Sequence, residues 1–116
     1  MKDSILKKVA IVLFLMIIAG SSYSQKVYSV KYKSDADVKV YVCDYKSDAD
    51  LVVYKCDYKS DASGNRGLWY FVDYKSDADK KIFFVKYKSD ADLKIFFSKY
   101  KSDADWKNSS KKQVMY

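Results

Sequence analysis

The sequence predicts an all-β fold, a compact single domain of about seven short strands built from 13-residue repeats. Three observations predict it. The hexapeptide Tyr-Lys-Ser-Asp-Ala-Asp begins at Tyr32, Tyr45, Tyr74, Tyr87 and Tyr100, and a variant ending in Ser63 begins at Tyr58. Successive tyrosines lie 13, 13, 16, 13 and 13 residues apart. Helical repeats run from about 33 residues upward, whereas this period fits one strand plus one turn. Between hexapeptides the chain is rich in β-branched and aromatic residues, and it contains no proline.

Taken in order, the first 24 residues carry Lys2, Lys7 and Lys8, then an apolar stretch from Val9 to Ala19, then Ser22-Tyr23-Ser24. That is the layout of a secretory signal cleaved before Gln25. The apolar stretch is shorter than the roughly 20 residues that span a bilayer, so no stable membrane span is expected after cleavage. No cysteine lies near the cut to carry a lipid. The expected organisation is a signal peptide over 1–24 and a six-repeat domain over 25–116, exported from a bacterial cell to the periplasm or beyond it. Without the leader about five net positive charges remain, and the lysines recur along the repeats instead of massing into a patch. Nucleic acid is therefore not an expected partner, and a monomer is expected.

Strands are expected at Val38–Cys43, Leu51–Cys56, Leu68–Val72, Ile82–Val85 and Leu93–Phe97, with a first near Val27 and a last near Val114–Tyr116. Five residues before each repeat tyrosine stands an apolar residue (Val27, Val40, Val53, Trp69, Ile82, Ile95), followed by an aromatic one (Tyr28, Tyr41, Tyr54, Tyr70, Phe83, Phe96). Adjacent strand positions point to opposite faces, so both faces carry apolar or aromatic side chains. The face shared by the aromatic residue, the small residue two later (Val30, Cys43, Cys56, Val72, Val85, Ser98) and the repeat tyrosine is expected to be the main core. The turns are expected to be short helical or type I turns. In them Ser34, Ser47, Ser76, Ser89 and Ser102 cap the backbone, and an aspartate three residues on, such as Asp37, reaches back. The one longer interval holds Gly64-Asn65-Arg66-Gly67 and is expected to form a bulged loop.

The Tyr-Lys-Ser-x-Ala-Asp repeat, the segment Gly67–Phe71, the run Lys80–Phe84 and the closing Trp106-Lys107-Asn108 resemble the bacterial septoil-knot domain family over most of residues 26–116. The resemblance implies a compact β domain tied into a seven-crossing torus knot, in a family without an assigned activity or catalytic residues. It also implies that glutamine often stands where this chain has the first aspartate of its turns, so acidity at Asp35 and Asp48 is not essential to the fold.

The chain has no histidine, which removes Ser-His-Asp triads, Cys-His dyads and histidine-based zinc sites. Two cysteines cannot make a structural zinc site, and no phosphate-binding glycine loop is present. No catalytic residue and no cofactor is expected. The pairs Asp35 and Asp37, Asp48 and Asp50, Asp77 and Asp79, Asp90 and Asp92, and Asp103 and Asp105 offer carboxylates for acid-base work or weak calcium binding, against the simpler reading of solvated turn caps. Calcium wants six to eight oxygens, and six near-equal copies argue against one active site. Cys43 and Cys56 hold the same place in consecutive repeats, so a disulfide is chemically permitted after export, with buried free thiols the alternative. Trp69, beside the bulged loop, and Trp106, in the tail, are candidate partner-binding residues. Tyrosine, phenylalanine and tryptophan stack on sugar rings, although most of them are expected in the core. The leading functional expectation is an exported, non-enzymatic, highly stable structural or envelope-associated domain. The alternatives are a module binding polysaccharide or another cell-surface component, and a weak calcium-binding repeat protein.

Overall fold

The computed structural model describes residues 24–116. The expected leader lies outside the described residues apart from Ser24. Seven strands follow one another: β1 Lys26–Ser29, β2 Val38–Val42, β3 Leu51–Lys55, β4 Leu68–Phe71, β5 Lys80–Phe84, β6 Leu93–Ser98 and β7 Asp105–Trp106. Each hexapeptide forms one three-residue 3-10 turn from its lysine to its first aspartate, such as Lys33–Asp35.

β1 to β6 are all parallel and stand in the order β4-β1-β5-β2-β6-β3, closed into a ring by pairing of β3 with β4. β7 pairs antiparallel with Leu51 and Val52 of β3, on the edge where β4 takes Tyr54 and Lys55. It thus shares that edge of β3 with β4. The chain moves two places from β1 past β5 to β2 and past β6 to β3, makes a single one-place step to β4, and then moves two places again, past β1 to β5, past β2 to β6 and past β3 to β7.

Parallel strands ordinarily need connections of about a dozen residues or more. Here 30–37, 43–50, 72–79 and 85–92 are eight residues each. The register explains the economy. Ser29 and Val38 both pair with Ile82, Val42 and Leu51 with Ile95, Phe71 and Lys80 with Val27, and Phe84 and Leu93 with Val40. The end of one strand and the start of the next flank a single residue of the strand between them. The connection only hops over that strand and does not run back along it.

The core fills the ring from the face opposite to the expected one. Val27, Val40, Val53, Trp69, Ile82 and Ile95, with Val38, Leu51 and Leu93 two residues before three of them, are buried and form one cluster with Met115. The adjacent aromatic residues point outward and are half-buried, and the repeat tyrosines are exposed. A closed ring of short strands has a narrow interior, which valine, leucine, isoleucine and one tryptophan fill, with Phe71, Phe84, Phe97 and Trp106 packed against it and the rings of Tyr28, Tyr41, Tyr54, Tyr70, Phe83 and Phe96 left outside. There Cys56, Ala62 and Leu68 form a second, smaller cluster with Tyr54, Tyr70 and Ala104, where the longer connection returns to the sheet.

The turns also differ from the expected capping. No serine caps them, and the residue preceding each 3-10 turn is the tyrosine, in extended conformation. The second aspartate instead reaches the neighbouring strand. Asp92 donates its N–H to the Lys39 carbonyl at 2.8 Å and accepts the Lys39 N–H on Oδ2 at 2.9 Å. Asp37 with Lys81, Asp50 with Lys94 and Asp79 with Lys26 repeat the same pair of bonds. Each clasp lies where a ladder begins, and the carboxylate serves a strand N–H that has no carbonyl there. Asp92→Ala is expected to cost about 1–3 kcal/mol, because it strands a part-buried N–H. Asp90→Ala, on the outer side of the same turn, is expected to stay within about 0.5 kcal/mol. Urea midpoints of the two variants check the difference, and equal midpoints would remove the clasp from the account.

The expected seventh strand near Val114–Tyr116 is instead a 3-10 segment, Ser109–Met115, whose Met115 enters the core. Asp105 and Trp106 pair in its place because the Asp50 carbonyl accepts the N–H groups of Lys107 and Asn108 and turns the chain away. Gln25 is buried and joins several parts of the molecule. Its Oε1 accepts from Trp69 Nε1 at 3.0 Å, and its Nε2 donates to Asn65 Oδ1 at 2.9 Å and to the Met115 carbonyl at 3.3 Å.

Candidate functional site

The surface most unlike an ordinary protein exterior is the band of turns. Each turn carries one exposed tyrosine, and Tyr32, Tyr45, Tyr58, Tyr74, Tyr87 and Tyr100 are 61 % to 71 % exposed. Each holds its place because it ends an extended stretch and its carbonyl accepts the first bond of the 3-10 turn, as Tyr32 does from the Asp35 N–H at 3.1 Å. The ring direction is therefore set by the backbone, and the side chain has no core to enter.

Lysines and first aspartates of turns that neighbour one another in the ring pair across the gaps. Lys46 meets Asp103 at 3.1 Å, Lys101 meets Asp61 at 3.7 Å and Lys75 meets Asp35 at 4.0 Å. These pairs are a third to half exposed, so each contributes little to stability. Ser98 Oγ donates to Asp103 Oδ2 at 2.7 Å, and this bond together with Lys46 holds the Asp103 carboxyl below its ordinary range.

Two clefts in this band are copies of one another. One, about 250 Å³, is lined by Lys33, Phe83, Phe84, Val85, Lys86, Tyr87 and Asp90. The other, about 290 Å³, is lined by Lys46, Phe96, Phe97, Ser98, Lys99, Tyr100 and Asp103. A wider hollow lies where β7 interrupts the regular order, between Lys46, Ser102, Asp103, Asp105, Trp106 and Lys107.

The residues singled out from the sequence are distributed differently from expectation. Trp69 is fully buried, so its ring faces the core and not a partner. Its place in the repeat is the inward one, the place of Val27 and Ile82. Trp106 is half-buried, donates Nε1 to the Asn65 carbonyl at 2.8 Å and lines the wider hollow. Cys43 and Cys56 are buried free thiols and not a disulfide. They follow β2 and β3, and β6 stands between those strands, so equivalent residues of consecutive repeats do not meet. Burial pushes both thiols up from their ordinary range. The members of each Asp-x-Asp pair are separated in role. Asp37, Asp50, Asp79 and Asp92 serve backbone N–H groups, and Asp105 Oδ1 accepts from the Trp106 N–H. Asp35, Asp48, Asp77, Asp90 and Asp103 lie on the outward 3-10 turns. Among the described residues no three acidic or thiol groups converge as metal ligands would. The repeat tyrosines, read as core from the sequence, are the residues that reading missed. Their position just before a polar Lys-Ser-Asp turn was the available signal.

A family model described as the 7(1) septoil knot domain matches residues 24–107. The chain belongs to the septoil knot domain family. That description names a knot of seven crossings, and the strand order takes the chain twice round the ring. The match spans all seven strands of this septoil knot domain and ends just after β7. No curated protein and no solved structure matches the chain. Among the described residues no helix is long and apolar enough to cross a membrane.

Proposed function

We propose that this septoil knot domain is a non-enzymatic, exported module that binds polysaccharide through its band of tyrosines. The observation that carries the reading is the exposure of six tyrosines at one equivalent position, held outward by a closed backbone frame. Aromatic rings offer sugars a flat apolar face with a polar tip, and a solvent-facing row of them at regular intervals suits a repeating polymer better than a compact ligand. The alternating lysines and aspartates between the rings add hydrogen-bonding groups.

The test is retention of the purified protein on a panel of insoluble polysaccharides and peptidoglycan, with and without calcium. Selective retention by the wild type is expected. It is expected to be lost when the six tyrosines are replaced by alanine, with the far-UV spectrum unchanged. Equal behaviour of the two proteins on every matrix would sink the reading, and dependence on calcium would return attention to the outward aspartates. A second reading, a stable structural domain of the cell envelope, is favoured by the closed ring, which leaves β1 to β6 paired on both sides. It accounts for a protein that no matrix retains.

A further inference from the structure

We infer that the two equivalent clefts beside Tyr87 and Tyr100 are subsites for the acidic sugar residues of one polysaccharide chain. This inference rests on the carbohydrate reading above and adds to it a place and a charge. The two sets of lining residues superpose by one repeat: Lys33, Phe83, Phe84, Lys86, Tyr87 and Asp90 become Lys46, Phe96, Phe97, Lys99, Tyr100 and Asp103. Of the seven lining positions only Val85 and Ser98 differ between the two, so both clefts offer a repeating ligand the same aromatic and charged groups.

The chemistry of the lining is that of an acidic sugar site. Phe83 or Phe96 beside an exposed tyrosine supplies apolar faces for the ring, while Phe84 and Phe97 pack against the inner core and Lys55 Nζ stands over Phe97 at 4.5 Å. Two lysines stand against one aspartate, which leaves each cleft with one positive charge to spare for a carboxylate. In the second cleft the aspartate is already engaged by Ser98 and Lys46, and among the described residues Lys99 makes no ion pair. Pockets for drug-sized ligands run from about 300 to 1,000 Å³. At about 250 and 290 Å³ each cleft suits a single ring, not an oligosaccharide.

The other repeats lack the combination. The residue before the tyrosine, lysine in these two clefts, is Asp44, Asp57 or Asp73 in three of the others. The remaining repeat has Lys31 there, but Ser29 stands where the clefts have their second phenylalanine. The strand order also places the two clefts close together. β5 and β6 flank β2, so only the gap beside Tyr45 separates them, and one extended chain can lie along both.

The experiment measures binding of the full protein to soluble polygalacturonate and to the same polymer with its carboxylates methyl-esterified. Binding is expected to the acidic form, to weaken with salt, and to be lost on esterification. The double variant Lys86→Glu/Lys99→Glu is expected to bind at least about tenfold more weakly. The double variant Lys31→Glu/Lys59→Glu, with the same change in net charge, is expected to stay within about twofold. Equal binding of the esterified polymer overturns the acidic-sugar assignment and leaves carbohydrate binding standing. Equal loss in both double variants shows that overall charge alone matters and overturns the assignment to the clefts. Absence of binding here together with absence of retention on every neutral matrix overturns this inference and the carbohydrate reading together.

Discussion

Gly67→Ala is expected to leave the chain unfolded at room temperature, while Gly64→Ala, three residues earlier in the same loop, is expected to leave it folded. Both glycines have positive φ, +70° at Gly64 and +88° at Gly67, so a side chain at either adds about 1–2 kcal/mol of backbone strain. The difference lies in what a Cβ would meet. At Gly64 nothing lies within 4 Å, whereas at Gly67 the new carbon would stand 2.2 Å from the Val52 carbonyl oxygen and 3.2 Å from Leu51 Cδ1. The oxygen is backbone of β3 and cannot swing away as the end of a side chain could. Nor can Gly67 withdraw, because its own carbonyl accepts the Tyr54 N–H at 2.9 Å and begins the pairing that closes the ring. Relief requires opening the β3–β4 seam, and a domain with a net stability of about 5–15 kcal/mol has little to lose there. Far-UV circular dichroism with urea titration checks the pair. A folded Gly67→Ala protein with the midpoint of Gly64→Ala would show that the seam is not closed in this way.

Trp69→Ala should be nearly as damaging. Removal of a fully buried aromatic side chain costs about 3–5 kcal/mol. Trp69 is also the donor to Gln25 Oε1, and a buried acceptor left without its partner adds about 1–3 kcal/mol. The edge contact of its ring with Phe71, at 6.4 Å between centroids, goes as well. Trp69→Phe is expected to fall between wild type and Trp69→Ala, because it keeps most of the volume and loses the hydrogen bond. Urea midpoints of the three proteins measure this order, and a Trp69→Phe protein as unstable as Trp69→Ala would place the stabilisation in the Gln25 bond and not in packing.

The number of strands and the spacing of the first six were legible in the sequence, because the period of the hexapeptide is a local property and each unit makes one strand and one turn; the seventh, outside the repeats, was placed too late in the chain. The inward face was not legible. Both faces of each strand are apolar, and which one turns inward depends on the bore of the closed ring, which no single repeat encodes. The same ring decides the fate of Cys43 and Cys56: sequence places them in adjacent repeats, and the two-place step puts β6 between their strands. Asp37 and Asp92 read as turn caps because a carboxylate at that offset can reach its own turn. It reaches Lys81 or Lys39 only when those strands stand alongside. The exposed tyrosines lay within reach of sequence reasoning, since a tyrosine against a Lys-Ser-Asp turn sits at the rim of any strand. The paired clefts did not, because Lys33 and Lys46 come from turns one winding away from the residues they face.

The two-place step also bears on how such a chain fills its ring. A path that skips every other place visits all the places of a ring only when their number is odd; on an even ring it returns to its start with half of them empty. The closed ring here has six places, and the chain fills them because it makes a single one-place step, from β3 to its direct neighbour β4, which carries it from one half of the places to the other. That step falls on the longer connection between β3 and β4. The one irregular connection, and not the repeated unit, is thus the part of the chain that joins its two circuits.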